Sequence, residues 1–294
     1  MKPKLFLLFP LLSLAACSSD INYDTNPIDP NIHYDNVYLI MGQSNASGIS
    51  PVSFLETKAP ETYAKYLNGY EKVYYSSDCD NTVTTTFEPV RLGKGNSAPY
   101  FGPEIGIADA ISSNEETSYI IKATLSGSTL QTQYINKNGQ KFNLYNRFVP
   151  FINQQLRDLK ESGKNPRVRG IFWMQGESDS TNQALSSTYQ AATSVFIQHL
   201  RHDINEYVFG YVNFVDAYIS TKSHHWVYSN EINQAKLNVS NENEHNYCIK
   251  TNGEDEGALD LVLKSAEEDP NDDAHYDSLS MLALGREAGK YLIK

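Results

Sequence analysis

From Tyr34 onward the sequence alternates short apolar runs with longer amphipathic stretches, and this alternation restricts the fold more than any other feature. The short runs are Val37 to Met41, Ser118 to Thr124, Val168 to Trp173 and Tyr207 to Phe214. Each is β-branched or aromatic in character and reads as a strand. Helical patterns fall between them at about Glu104 to Ser112, Tyr145 to Ser162 and Ser187 to Asn205. A shorter helix is expected around Asn230 to Asn238, and a last one from Asp277 to Ile293 with Ser278 or Ser280 as its N-cap. A strand that is followed by a helix and then another strand must cross over to pair, so the order implies one α/β domain. Its sheet is mostly parallel, with helices on both faces. Ligands of such sheets bind outside the carboxyl ends of the strands, which directs the search for chemistry to the residues that follow each run.

The first 33 residues do not share this alternation. Lys2 and Lys4 precede an apolar run from Leu5 to Leu14 that closes in Leu14-Ala15-Ala16-Cys17, the pattern of a secretory signal peptide. The run is too short to span a bilayer permanently, which takes roughly 20 apolar residues. Its ending resembles a bacterial lipobox, which implies a signal peptide over 1–17 and acylation of Cys17 as the mature N-terminus. Residues 18–33 are polar and rich in Pro, Asn and Asp, and read as a flexible tether; 34–294 form the body. The expected product is an exported bacterial lipoprotein, anchored by lipid to a membrane and facing the periplasm or the cell surface.

An oxidising compartment leaves open a disulfide between the other two cysteines, Cys79 and Cys248. The net charge of -11 argues against a nucleic-acid partner, since phosphates repel a body without a basic face. The 20 Tyr and 12 Phe residues can fill the core or stack on sugar rings. No Cys or His cluster has the spacing of a zinc site. His224 and His225 are neighbours, whose side chains point apart on either a helix or a strand, so no metal is expected.

The chemistry gathers at the ends of the runs. The first strand leads directly into Gly42-Gln43-Ser44-Asn45, which places a serine hydroxyl on a tight turn at the carboxyl edge of the sheet. The second ends in Leu125-Ser126-Gly127-Ser128, where Gly127 can bring its backbone N–H close to a ligand that a side chain would obstruct. The third ends in Gln175-Gly176-Glu177, adding an amide and a carboxylate at the same edge. Near the C-terminus, Asp272 and His275 are three residues apart, so one loop can hold both, with the carboxylate orienting the imidazole toward Ser44. Pro99 to Glu104 contains a Gly-Pro-Glu step that starts a helix, either at the rim of the cleft or simply as a cap.

Gly-Gln-Ser-Asn after the first strand, Gln-Gly-Glu after the third and Asp-x-x-His before the last helix together resemble the SGNH hydrolase superfamily. Within it they resemble the sialate O-acetylesterase and acetylxylan esterase branch, carbohydrate esterase family six. The resemblance covers roughly Tyr34 to Lys294 and implies a three-layer α/β/α sandwich, the flavodoxin-like SGNH hydrolase fold. It implies Ser44 as nucleophile, His275 as general base and acid, and Asp272 as the group that orients it. The backbone N–H groups of Ser44 and Gly127, with the Gln175 side chain, would form the oxyanion hole. Gln43 and Gln175 stand where the wider superfamily has Asp and Asn, a departure shared by the branch. Glu177 is open to three roles: structural carboxylate, substrate contact, or acidic partner of His275 in place of Asp272. Gln43 and Asn45 share the alternative of a substrate contact.

The implied activity is removal of O-acetyl groups from carbohydrate, whether acetylated polysaccharide or sialic acid, through an acetyl-serine and without a cofactor. Two other readings stay open. One is a lipase, thioesterase or arylesterase of the same superfamily; the other is an inactive, lipid-anchored carbohydrate-binding protein. The polar and aromatic segments Gly95 to Tyr100 and Ser223 to Asn230 favour sugar over a long acyl chain.

Overall fold

The structure is a computed structural model that describes residues 25–80, 82–112 and 116–294. The signal peptide of 1–17, Cys17 and the first part of the tether lie outside the described residues. In chain order the first half contains β1 (Asp35–Gly42), α1 (Ser44–Ser47), β2 (Ser50–Pro51), α2 (Val52–Lys58), α3 (Pro60–Leu67), β3 (Val73–Cys79), β4 (Thr82–Pro89), β5 (Tyr100–Phe101), α4 (Pro103–Ile111) and β6 (Ser118–Thr124). The second half contains α5 (Asn143–Glu161), β7 (Pro166–Met174), α6 (Gln183–Ser186), α7 (Tyr189–Asp203), β8 (Asn213–Ala217), α8 (Ser229–Ser240), β9 (Asn246–Ile249) and α9 (Ser278–Leu292). The main sheet has the order β4-β3-β6-β1-β7-β8-β9. It is parallel except at β4, which turns back along β3. β2 and β5 form a separate antiparallel pair.

β1 lies at the centre, and Val37, Leu39, Ile40 and Met41 are fully buried on both of its faces, as a strand flanked by two helical layers requires. The parity of β7 shows the two layers. Gly170 faces α9, where a Cβ would stand 2.5 Å from the Leu292 side chain. Trp173, of opposite parity, meets Phe196 of α7 with ring centroids 4.5 Å apart and Tyr134 at 5.2 Å. The three-layer α/β/α architecture expected from the sequence is therefore the one observed.

Asp109 of α4 ties three helices together. Its carboxylate accepts from Tyr66 and Arg286 at 2.8 Å each, from Tyr70 at 3.1 Å and from Lys65 at 2.9 Å. Burial alone would raise its pKa, but these four donors outweigh burial and bring it down to about 2. A depressed carboxyl pKa stabilises the fold above the unfolded value near 4, and that contribution disappears as pH falls toward 2. Asp109→Asn is accordingly expected to lower Tm at pH 7, with the gap from the unmodified protein closing between about pH 4 and pH 2. Thermal melts across that range check it, and a gap that stays constant with pH refutes the linkage.

Four expectations are corrected. The fourth strand begins at Asn213 rather than at Tyr207: Gly210 takes φ +77°, a left-handed conformation that interrupts the run, although Val208 and Val212 remain buried. The N-cap of α9 is Asp277, whose carboxylate accepts from Ser280 N at 2.7 Å, and not Ser278 or Ser280. Within the tether, Asn26 is held against the body. Asn26 donates to Val208 O and Asn205 O and accepts from Gly210 N, and just beyond the tether Tyr34 packs at a tilt against Phe209 with ring centroids 4.7 Å apart. Finally, Cys79 ends β3 and Cys248 lies in β9, five strand positions away, or about 24 Å at the usual spacing. That is far beyond disulfide reach, and both thiols are free.

Candidate active site

The carboxyl ends of β1, β6 and β7 are level. Gly42 pairs in register with Thr124 on one side and with Met174 on the other, so the segments beginning at Gln43, Leu125 and Gln175 leave the sheet side by side. Gly42 is a position where no other residue fits. Its φ is +138°, and a Cβ would stand 2.0 Å from Met174 O. With no side chain there, Gln43 N reaches Met174 O at 2.9 Å and the chain turns at once into α1, whose first residue is Ser44.

Ser44 Oγ lies 2.8 Å from His275 Nε2. On the other side of the ring, His275 Nδ1 is 2.8 Å and 2.9 Å from the two oxygens of Asp272. A carboxylate only accepts, so Nδ1 carries the proton and Nε2 presents its lone pair to the serine hydroxyl. Asp272 also accepts from the backbone N–H groups of Ala274 and His275, and from Lys264 Nζ at 2.8 Å. Burial alone would raise the Asp272 pKa, but His275 and Lys264 hold the carboxyl well below the usual carboxylate range. The carboxylate is therefore ionised at neutral pH.

Lys264 belongs to no motif that marks it in the sequence. Its side chain is buried against Asp272 while its backbone N–H donates to His275 O at 2.8 Å, so one residue holds both members of the loop. Asp80 is a second such residue. It accepts from Ser126 N at 2.6 Å and from Ser126 Oγ at 3.0 Å, fixing the turn that contains Gly127. Gly127 itself is exposed, at φ +69°, with open space where a Cβ would be.

The third motif behaves differently from expectation. Gln175 is fully buried, and its amide nitrogen lies near three acceptors: Asp179 at 2.7 Å, Ser128 O at 3.0 Å and Gln43 Oε1 at 3.1 Å. Its carbonyl accepts from Tyr189 OH at 2.8 Å. Two N–H bonds facing three acceptors leave none for an oxyanion, so the expected donor role for this side chain is corrected to a scaffolding one. The reason is Asp179: this buried carboxylate, its pKa raised by desolvation, needs donors and takes them from Gln175 and from Leu130 N.

Glu177 accepts from Asn45 Nδ2 at 2.8 Å, and Asn45 Oδ1 accepts from Tyr276 N, the residue after His275. Gln43 is buried too, with its carbonyl taken by Gln175 and Ser178 N. Glu177, Gln43 and Asn45 thus clamp the loops to each other, and the group beside the imidazole is Asp272. Glu104 is likewise internal rather than at a rim. It accepts from Gly102 N at 2.7 Å and pairs at 3.0 Å with Lys122, itself bonded to Ser47 O behind the serine turn. Burial would lower the Lys122 pKa, and the adjacent Glu104 charge reverses this and raises it.

His224 and His225 do not point apart. They lie in an irregular loop, and their rings come together with centroids 3.9 Å apart, facing Asp273.

A family model described as carbohydrate esterase, sialic acid-specific acetylesterase matches residues 34–294. No curated protein matches the chain. Among solved structures, NanS is similar at 14% identity and a TM-score of 0.64, covering 88% of this chain and 97% of that one. A protein from Arabidopsis thaliana is similar at 18% identity and a TM-score of 0.61, covering 88% and 98%. A carbohydrate acetylesterase from Xanthomonas citri is similar at 14% identity and a TM-score of 0.53, covering 87% of this chain and 54% of that one. At these identities the likeness is one of fold.

Proposed function

This chain belongs to the carbohydrate esterase, sialic acid-specific acetylesterase family, and from that premise we propose that it removes O-acetyl groups from carbohydrate through an acetyl-serine formed on Ser44. It is a carboxylic ester hydrolase by family. The observation that carries the finer reading is the unbroken line of contacts from Ser44 Oγ through His275 to Asp272, set at the sheet edge beside Gly127.

In the first step Ser44 Oγ bonds to the acetyl carbonyl carbon while its proton passes to His275 Nε2. Negative charge builds on the carbonyl oxygen. The Ser44 N–H has no acceptor within its own helix, being at the first position, and the Gly127 N–H lies on the neighbouring turn; these two are the proposed oxyanion donors. Gln175 contributes by holding Ser128 O, and with it the turn, in place. The C–O bond to the sugar then breaks and the leaving oxygen takes the proton from Nε2. Water repeats the sequence, giving up a proton to His275 and releasing acetate and free Ser44.

Anchoring through Cys17 is part of the same proposal. It is supported by Lys2 and Lys4, the apolar run to Leu14 and the Leu-Ala-Ala-Cys ending, and in this reading the enzyme is held at a membrane and faces the periplasm or the cell surface.

The expected result is that the protein hydrolyses p-nitrophenyl acetate in a manner abolished by a serine-directed inhibitor. The rate should fall as the acyl chain lengthens to octanoate, and acetate should be released from acetylated xylan or O-acetylated sialic acid. Preference for octanoate would instead identify a lipase, absent turnover would identify a binding protein, and turnover insensitive to the inhibitor would refute Ser44 as the nucleophile.

A further inference from the structure

Among the described residues, one group of histidine, cysteine or carboxylate side chains brings its ligand atoms within metal-binding reach: His224, His225 and Asp273, all within 4.8 Å of one another. We propose that these three side chains bind a divalent transition-metal ion of the zinc class beside the catalytic loop.

The geometry is close to what such an ion needs. His225 Nε2 is 2.9 Å from Asp273 Oδ1, and His224 Nδ1 is 3.6 Å from Asp273 Oδ2. A tetrahedral ion bound at about 2.0–2.1 Å holds its ligand atoms about 3.3–3.4 Å apart; these two contacts use different oxygens of Asp273 and all three ligand atoms lie within 4.8 Å, so small rotations of exposed side chains bring them to that spacing. Adjacent imidazoles seldom converge, because regular backbone sends consecutive side chains in different directions. Here the loop between β8 and α8 turns both rings to the same side, and Ser223 Oγ accepts from His225 N at the turn.

The donor set selects the class of ion. Two imidazoles and one carboxylate suit zinc, nickel or copper, whereas calcium and magnesium require a shell of oxygens. All three side chains are exposed, so the fourth position is open to water. Two chain segments far apart in sequence meet at the ion. Asp273 lies between Asp272 and His275, so a bound ion clamps the 223–226 loop onto the loop that holds the imidazole.

The test uses the full chain without a histidine tag, first stripped of metal. Calorimetric titration with Zn2+ is expected to show one ion per chain, and Zn2+ is expected to raise Tm. Loss of a ligand should weaken binding by at least about 10-fold, so the double variant His224→Ala, His225→Ala and the single variant Asp273→Asn should each lose the saturable uptake and the Tm shift. Trp226 supplies a local probe: its ring lies 5.8 Å from that of His225, while Trp173, the other tryptophan, is fully buried. Cu2+ should quench Trp226 emission in the unmodified protein, and a chelator such as EDTA should restore it. Absence of Zn2+ uptake overturns the proposal. So does uptake unchanged in the variants, which would place the ion elsewhere, for example on His275. Binding is read without substrate, so its failure is distinguishable from failure of the esterase reading.

Discussion

Ser44→Ala is expected to lower kcat for an acetyl ester by about 10^5-fold or more, since a nucleophile whose base is already in contact has no substitute. Ser44 Oγ lies 2.8 Å from His275 Nε2, and removing it takes away one oxygen and no packing. Tm should therefore hold while turnover collapses. His275→Ala is expected to cost about as much, because Ser44 without its base is an ordinary alcohol. The informative measurement is the double variant. Two groups that act as one unit are not additive, so combining the two substitutions should cost no more than the worse of them, within about a factor of 10. Losses that multiply in the double variant would show that the two residues act in separate steps and would refute the pairing.

The second large effect separates two carboxylates. Asp272→Asn is expected to lower kcat by about 10^3- to 10^4-fold with little change in KM, because an amide no longer dictates which imidazole nitrogen bears the proton. It also removes the charge facing Lys264, which is buried with Asp269 at 3.8 Å as its next nearest acid. Glu177→Gln keeps an oxygen for Asn45 and touches neither ring nitrogen, so its effect on kcat should stay below about 10-fold. A larger loss from Glu177→Gln than from Asp272→Asn would make Glu177 the acid partner.

Legibility followed the kind of residue that each element uses. β1, β6 and β7 are buried on both faces and announce themselves as β-branched or aromatic runs. β3 does not, because Ser76, Ser77 and Asp78 are buried alongside Tyr75. The Asp78 charge is met by Arg147 of α5, a partner 69 residues away that no local pattern reveals. The site divides the same way. Ser44, Asp272 and His275 show in the sequence because strand-end position and a three-residue spacing mark them. Lys264, Asp80 and Asp179 do not, since each matters only through a partner supplied by another loop. Gln175 is the reverse case. Its place in the sequence is that of an oxyanion donor, but the role of an amide is set by which acceptors compete for it, and Asp179 wins. For His224 and His225, the expectation of divergence assumed regular backbone, and the loop is irregular.

The docking of Asn26 against residues 205–210 has a consequence for orientation. These residues lie just before β8, and Phe209 O accepts from Arg167 at the start of β7, so the chain enters the body at the amino ends of the parallel strands. Ser44 is at the other end, beyond the eight residues of β1, or about 26 Å at the usual rise. Whatever precedes Asn26 therefore attaches to the back of the molecule. Under the proposed lipid anchor, the catalytic edge is the end of the sheet opposite the point at which the anchoring segment joins the body. A long glycan in the surrounding medium then meets Ser44 without having to thread between the protein and its own anchoring surface.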